Sequence, residues 1–245
     1  MSSVRAFFVS LGVYTRFPLK LKKQEDVSPR QLLLHLIAAG GIVGLFWKLL
    51  CDGLYFLGLP AAITAAILLL FPYWSTGYLH LESYMESSAI ILSSRQGYDR
   101  SERRGAFGVI ALAVLFVLGF SGMFSFVEAR RSSFLLLFIP LISRELTVLT
   151  LFLFPTVTGA GYASPDAPRK GQTTALLMLF FVLSVIACIT LTGLVGSLLI
   201  TVMICVFLFC AFFAKGYLGV TGDTAGYALT LSETIGLLAL AFLKV

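Results

Sequence analysis

Charge is what this sequence has least of. Only 12% of its 245 residues are Asp, Glu, Lys or Arg, while 58% are hydrophobic and the mean hydropathy is +0.96. Soluble domains carry about twice that share of charge, so an ordinary water-soluble globule is excluded. Histidine is scarce, with two residues, and the four cysteines (Cys51, Cys188, Cys205, Cys210) all fall in apolar runs. No pair of them has metal-ligand spacing, so they read as small hydrophobes. No internal repeat is evident, and no polar segment is long enough to fold as a separate soluble domain. The net charge of +6 does not point to nucleic acid. In so apolar a chain, basic residues set topology and meet anionic lipid headgroups.

What is present is long apolar helix. A span needs about 20 mostly apolar residues. The pattern predicts spans at Leu32 to Leu57, Pro60 to about Leu79, Gly105 to Val127 and Phe134 to Phe154. Thr173 to Phe213 is too long for one, and Gly193 and Gly196 divide it into two. A last span runs from about Ala225 to Leu243. The run Val4 to Val13 is short, its apolar stretch broken by Arg5, Tyr14 and Arg16, and it lacks a small-residue cleavage site. It reads as an interfacial or re-entrant helix kept in the mature protein. The expected fold is therefore all-α: one integral membrane domain over residues 1–245, polytopic, with about seven transmembrane helices plus the N-terminal helix.

Basic residues orient it. Arg5, Arg16, Lys20, Lys22, Lys23 and Arg30 place the N-terminal arm in the cytoplasm. Loops at 80–105, 155–172 and 215–225 then lie on the same side and can share one site. The Gly40 to Gly44 spacing permits helix association, and with it a homo-oligomer.

The longest polar interval is His80 to Gly108, HLESYMESSAIILSSRQGYDRSERRGAFG. Glu82 and Glu86, four apart, would share one helix face about 5–6 Å apart. Carboxylates that close repel unless a cation sits between them, and Mg²⁺ takes one or two carboxylates plus substrate phosphates. The other reading is a solvated helix end. His80 is a candidate ligand or general base, or an interfacial hydrogen-bonded residue. Arg100, Arg103 and Arg104 precede a helix opened by Gly105 and Gly108. Guanidinium groups at a helix N-terminus suit phosphate oxygens, although basic residues flank spans under the positive-inside rule as well. Asp223, in GVTGDTAG, either caps the last helix or, with Thr221, Gly222 and Thr224, lets backbone approach an anion closely. Arg144 and Glu145 fall in the middle of a span. Charge at that depth faces the protein interior with a partner, either a substrate phosphate or a buried carboxylate such as Glu233.

Three segments together resemble the cobalamin synthase family: HLESYMESSAI (His80 to Ile90), RSERRGAFG (Arg100 to Gly108) and GVTGDTAGYA (Gly219 to Ala228). Weaker echoes are TRFP at Thr15 to Pro18, GGIVG at Gly40 to Gly44, and Ser143–Arg144. Order and hydropathy agree over nearly the whole chain, and the TGDT block is the most specific match. The departures are acidic: glutamates stand at 82 and 86 where the family has aspartates, and Ala89 stands where it has a third. Ser83 and Ile90 replace glycines, and Ser101 replaces the aspartate of the arginine segment.

The resemblance implies an enzyme of the inner membrane that joins adenosylcobinamide-GDP to α-ribazole or its 5′-phosphate, releasing GMP. It implies Mg²⁺ on Glu82, Glu86 and Asp223, with Arg100 and Arg103 on the diphosphate. Substrate contacts would come from His80, Arg104, Gly105, Gly108, Arg144, Thr221, Gly222 and Thr224, and the corrinoid would lie in a groove between spans. Three alternatives stand beside it: another Mg²⁺-dependent membrane phospho-alcohol transferase, a small-solute transporter using Arg144 and Glu233, and a catalytically altered homologue.

Overall fold

The computed structural model describes residues 3–16, 29–96, 104–154 and 170–242. Among these residues the chain forms eight helices and no strand: α1 (Ser3–Tyr14), α2 (Pro29–Leu57), α3 (Ala61–Ser75), α4 (Leu79–Gln96), α5 (Arg104–Glu128), α6 (Phe134–Leu153), α7 (Lys170–Leu218) and α8 (Gly222–Leu240). Four of them (α2, α5, α6 and α7) are long and apolar enough to cross a membrane, or five spans if the bent pair α3–α4 counts as one. The outward surface is apolar as lipid requires, with Phe56 at 92% and Leu194 at 74% exposure. This is an all-helical membrane protein.

Helix α6 is the axis. Fifteen of its 20 residues are buried, which explains how a span can hold Arg144 and Glu145: neither meets lipid. The Arg144 guanidinium pairs with the Glu233 carboxylate of α8, and the Ser143 hydroxyl donates to the same oxygen. Glu145 turns toward α7, where Ser184 Oγ donates to it at 2.8 Å. Pairing offsets a desolvation cost of several kcal/mol per ion.

Helix α2 reaches α6 through its glycines. A Cβ on Gly40 would come within 2.6 Å of the Pro140 carbonyl oxygen, and one on Gly44 would collide with the Leu137 carbonyl. Backbones approach closely only where side chains are missing. The helix association that this spacing permits occurs within the chain, between α2 and α6.

The division of 173–213 occurs where expected. Gly193 alone leaves helical geometry, with φ +63 and ψ −144. Both arms of α7 return to one end of α6. Leu177 packs in a cluster with Val148, Leu149 and Phe152, while the Phe212 ring meets Phe154 at 6.1 Å.

The second expected span differs. Helix α3 stops at Ser75 rather than near Leu79, and α4 leaves it at 90°. Fifteen residues rise about 22 Å, short of a bilayer core about 30 Å thick. Over Leu79–Gln96 the polar interval is therefore not a loop after a complete span. It continues as a helix, packed within the bundle against α5 and α8.

Candidate active site

The direction of α4 is set by a three-residue turn. Gly77 N donates to the Trp74 carbonyl at 3.1 Å and Tyr78 N to that of Tyr73 at 2.8 Å, the paired bonds of a Schellman motif. Gly77 and Tyr78 are both left-handed, φ +64 and +66. For tyrosine that costs about 1–2 kcal/mol. Arg16, just past α1, braces the turn: its N–H bonds the Ser75 carbonyl at 2.7 Å and its guanidinium lies 5.5 Å from the centre of the Tyr78 ring.

From that start, 3.6-residue periodicity divides α4 into faces. One carries His80, Ser83 and Ser87 against α8. Ser83 Oγ donates to Asp223 Oδ1 at 3.2 Å, Ser87 Oγ donates to the Asp223 carbonyl at 3.4 Å, and Thr230 Oγ1 donates to the His80 carbonyl at 3.1 Å. Gly226 permits the approach, since a Cβ there would sit 2.7 Å from Ser83 Cβ. A second face carries Met85 and Ala89 against Gly108 of α5. Glu82 and Glu86 take what is left and are exposed.

Two cavities border α4. One, of about 350 Å³, is lined by Met85, Glu86, Ala89, Ile90, Gly105 and Gly108, so Glu86 borders the first turns of α5. Arg104 begins α5; Arg100 and Arg103 lie outside the described residues. The other, of about 360 Å³, is enclosed by the ends of α1, α2, α4, α6 and α8, and Tyr14, His80, Ser83, Thr147, Gly222 and Asp223 are in its wall. His80 is buried, and its Nε2 has no hydrogen-bond partner among the described residues.

The two polar islands at 80–96 and 219–226 therefore share one end of the bundle, as topology required. Three details differ from expectation. Thr221, not Asp223, caps α8: its Oγ1 accepts from Thr224 N at 3.1 Å. Thr224 is buried and its hydroxyl donates to the Gly219 carbonyl at 2.7 Å, so it holds the loop shut. Asp223 stands in the first turn, where its charge complements the helix dipole and its side chain projects toward Ser83.

The metal set is the second difference. Among the described residues no three His, Cys, Asp or Glu side chains gather closely enough to hold an ion. Glu82, Glu86 and Asp223 thus do not form the expected three-carboxylate cluster, because α8 packs on the serine face of α4 and not on its acidic face. The third concerns the substrate role given to Arg144: it lines neither cavity, while its pairing with Glu233, one of the two partners expected for it, is present.

Sequence reasoning missed Ser83, Tyr14 and Thr147. Ser83 had a signal: with Ser87 it makes an i,i+4 polar pair beside the acidic one. The other two come from distant elements and had none.

A comparison with protein families now decides the kinship. The family model described as cobalamin-5-phosphate synthase matches residues 6–241. The chain belongs to the cobalamin-5-phosphate synthase family. Relatives of this family include the adenosylcobinamide-GDP ribazoletransferase of Clostridium botulinum strain Alaska E43, 26% identical over 95% of both chains. That of Clostridium perfringens strain SM101 is 28% identical over 98% of both, and that of Desulfitobacterium hafniense strain Y51 is 29% identical over 97% of both. No solved structure shows a significant match. Within the cobalamin-5-phosphate synthase fold, the TGDT block is thus the cap and first turn of α8, and the acidic motif is one face of a helix set at 90° to its predecessor.

Proposed function

We propose that this protein is an adenosylcobinamide-GDP ribazoletransferase of the inner membrane, with its N-terminus and site in the cytoplasm. It joins adenosylcobinamide-GDP to α-ribazole or its 5′-phosphate late in cobalamin biosynthesis. A hydroxyl of the acceptor attacks the phosphate next to the cobinamide. One phosphate ester bond forms, the phosphoanhydride bond breaks, GMP departs with the bonding electrons, and the hydroxyl proton passes to solvent. The family match over residues 6–241 carries this reading.

The acidic face of α4 suits Mg²⁺. Glu82 and Glu86 are exposed, and among the described residues neither makes an ion pair. Magnesium keeps several waters and takes one or two carboxylates with substrate phosphates, so two side chains suffice where three do not gather. When bound, the ion supplies Lewis-acid charge to the diphosphate. Gly105, beside Glu86, has open space around it and leaves room for phosphate oxygens near the N–H groups of the α5 terminus, while Gly108 is taken up by packing on Met85. Arg100, Arg103 and Arg104 supply positive charge in the adjoining segment, and Asp223 orients the acceptor from the opposite side of α4. Phe56, Leu194 and Phe209 face lipid.

The test is transfer by the purified protein in detergent or nanodiscs. With Mg²⁺, adenosylcobinamide-GDP and α-ribazole phosphate, GMP is released above a no-acceptor control. No release under any of these conditions sinks the proposal.

A further inference from the structure

We infer that the cavity between α1, α2, α4, α6 and α8 is the seat of the acceptor nucleoside, with its base against the leucine wall and its ribose on His80 and Asp223. The inference rests on the transferase reading and adds where one of the two substrates lies.

The two cavities differ in chemistry although they match in size. The one beside Glu86 borders an acidic helix face and a helix N-terminus, which suits a diphosphate with its cation. The other is graded. Leu32, Leu33, Leu36 and Leu151 form its apolar side, and His80, Ser83, Thr147 and Asp223 form its polar side. α-Ribazole has the same gradient, a flat apolar benzimidazole base on a hydroxyl-rich sugar. At about 360 Å³ the cavity lies near the lower end of the range for small-ligand sites. That is the size of a nucleoside and far below a corrinoid.

Two groups in its wall call for a ligand. His80 is nine-tenths buried, at 9% exposure; its Nε2 lacks a hydrogen-bond partner among the described residues and is itself covered, so a turn of the imidazole presents it to a sugar hydroxyl. Buried polar atoms in native proteins are nearly always paired. Asp223 accepts one bond, from Ser83, and a carboxylate has about four lone-pair sites, so ribose hydroxyls have acceptors there. Because Ser83 adjoins Glu82 in α4, a sugar held at this floor lies beside the acidic face that takes the diphosphate.

The experiment uses the full-length protein with His80→Asn and Leu32→Trp, each checked for folding by size-exclusion chromatography. GMP release is followed with either substrate varied, and α-ribazole binding is measured by calorimetry. Loss of one ligand hydrogen bond, or a filled base site, raises KM for the acceptor about tenfold or more, weakens α-ribazole binding equally, and leaves KM for adenosylcobinamide-GDP within about twofold. If Leu32→Trp does not fold, His80→Asn decides by itself. A raised donor KM with unchanged acceptor KM overturns the assignment, as does a fall in kcat alone. Wild-type protein that transfers normally while neither variant alters the acceptor KM removes the seat and keeps the transferase reading. Wild-type protein that binds α-ribazole through His80 but never releases GMP removes that reading and keeps the seat.

Discussion

Ser83 and Asp223 meet across 140 positions of sequence, the serine hydroxyl donating to the aspartate Oδ1 at 3.2 Å. This contact joins the acidic helix α4 to the capped start of α8. It also fixes which face of α4 is spent on packing and which is left to chemistry. The face that meets α8 carries His80, Ser83 and Ser87, and the face that meets α5 carries Met85 and Ala89, with Gly226 and Gly108 opposite them. The remaining face carries the two glutamates.

Replacing either glutamate tests that division. Glu82→Gln and Glu86→Gln each remove a charge from an exposed position, so membrane expression and melting temperature stay at wild-type values. GMP release falls by roughly a hundredfold or more, as expected for loss of a metal ligand. Chelation of wild-type protein abolishes release, and added Mg²⁺ restores it. Near wild-type rates in both variants would remove these residues from the metal site.

The Arg144–Glu233 pair behaves in the opposite way. Arg144→Met or Glu233→Gln leaves one uncompensated group buried in the bundle, and the loss is about 3–5 kcal/mol. Each single variant melts well below wild type in detergent. The double replacement Arg144→Met with Glu233→Leu recovers much of the loss, and a thermodynamic cycle from denaturation reads the coupling.

Neighbouring glycines on α2 should differ sharply. A Cβ on Gly41 would lie 3.7 Å from the Leu141 Cδ1, an ordinary contact, whereas Gly40 and Gly44 press on the α6 backbone. Gly41→Ala is neutral. Gly40→Ala or Gly44→Ala must push two helices apart, with overpacking costs of about 1–3 kcal/mol or more, and yields less folded protein by fluorescence-detected size exclusion.

Removing the cap of α8 links stability to function. Thr221→Ala loses the bond to Thr224 N and costs about 1 kcal/mol, while Thr221→Ser retains both the bond and the stability. Because Asp223 sits two residues into the same helix, the alanine variant also raises KM for the acceptor, and the serine variant does not.

The sequence disclosed this architecture where one physical rule dominated. Hydropathy located α2, α5 and α6 and the break at Gly193, because lipid leaves a helix few choices. Charge at depth announced the interior position of Arg144, since no other place tolerates it. The end of α3 escaped notice because Leu79 continues the apolar run, and only local geometry at Gly77 and Tyr78 ends the helix. The capping reading of Asp223 gave way for a similar reason: Thr221 and Asp223 are both good capping residues, and backbone dihedrals choose between them. The proposed acceptor cavity was illegible altogether. Its wall comes from five helices, and no motif records that Tyr14 and Thr147 face each other's neighbours.

The turn at Gly193 bears on how the chain enters its membrane. No charged residue lies between Lys170 and Lys215, and the two arms join through a single non-helical glycine. The turn carries no charge to hold it at the membrane surface. The two arms are a single apolar unit in sequence, a hairpin whose nearest charged residues, Lys170 and Lys215, stand at its open ends.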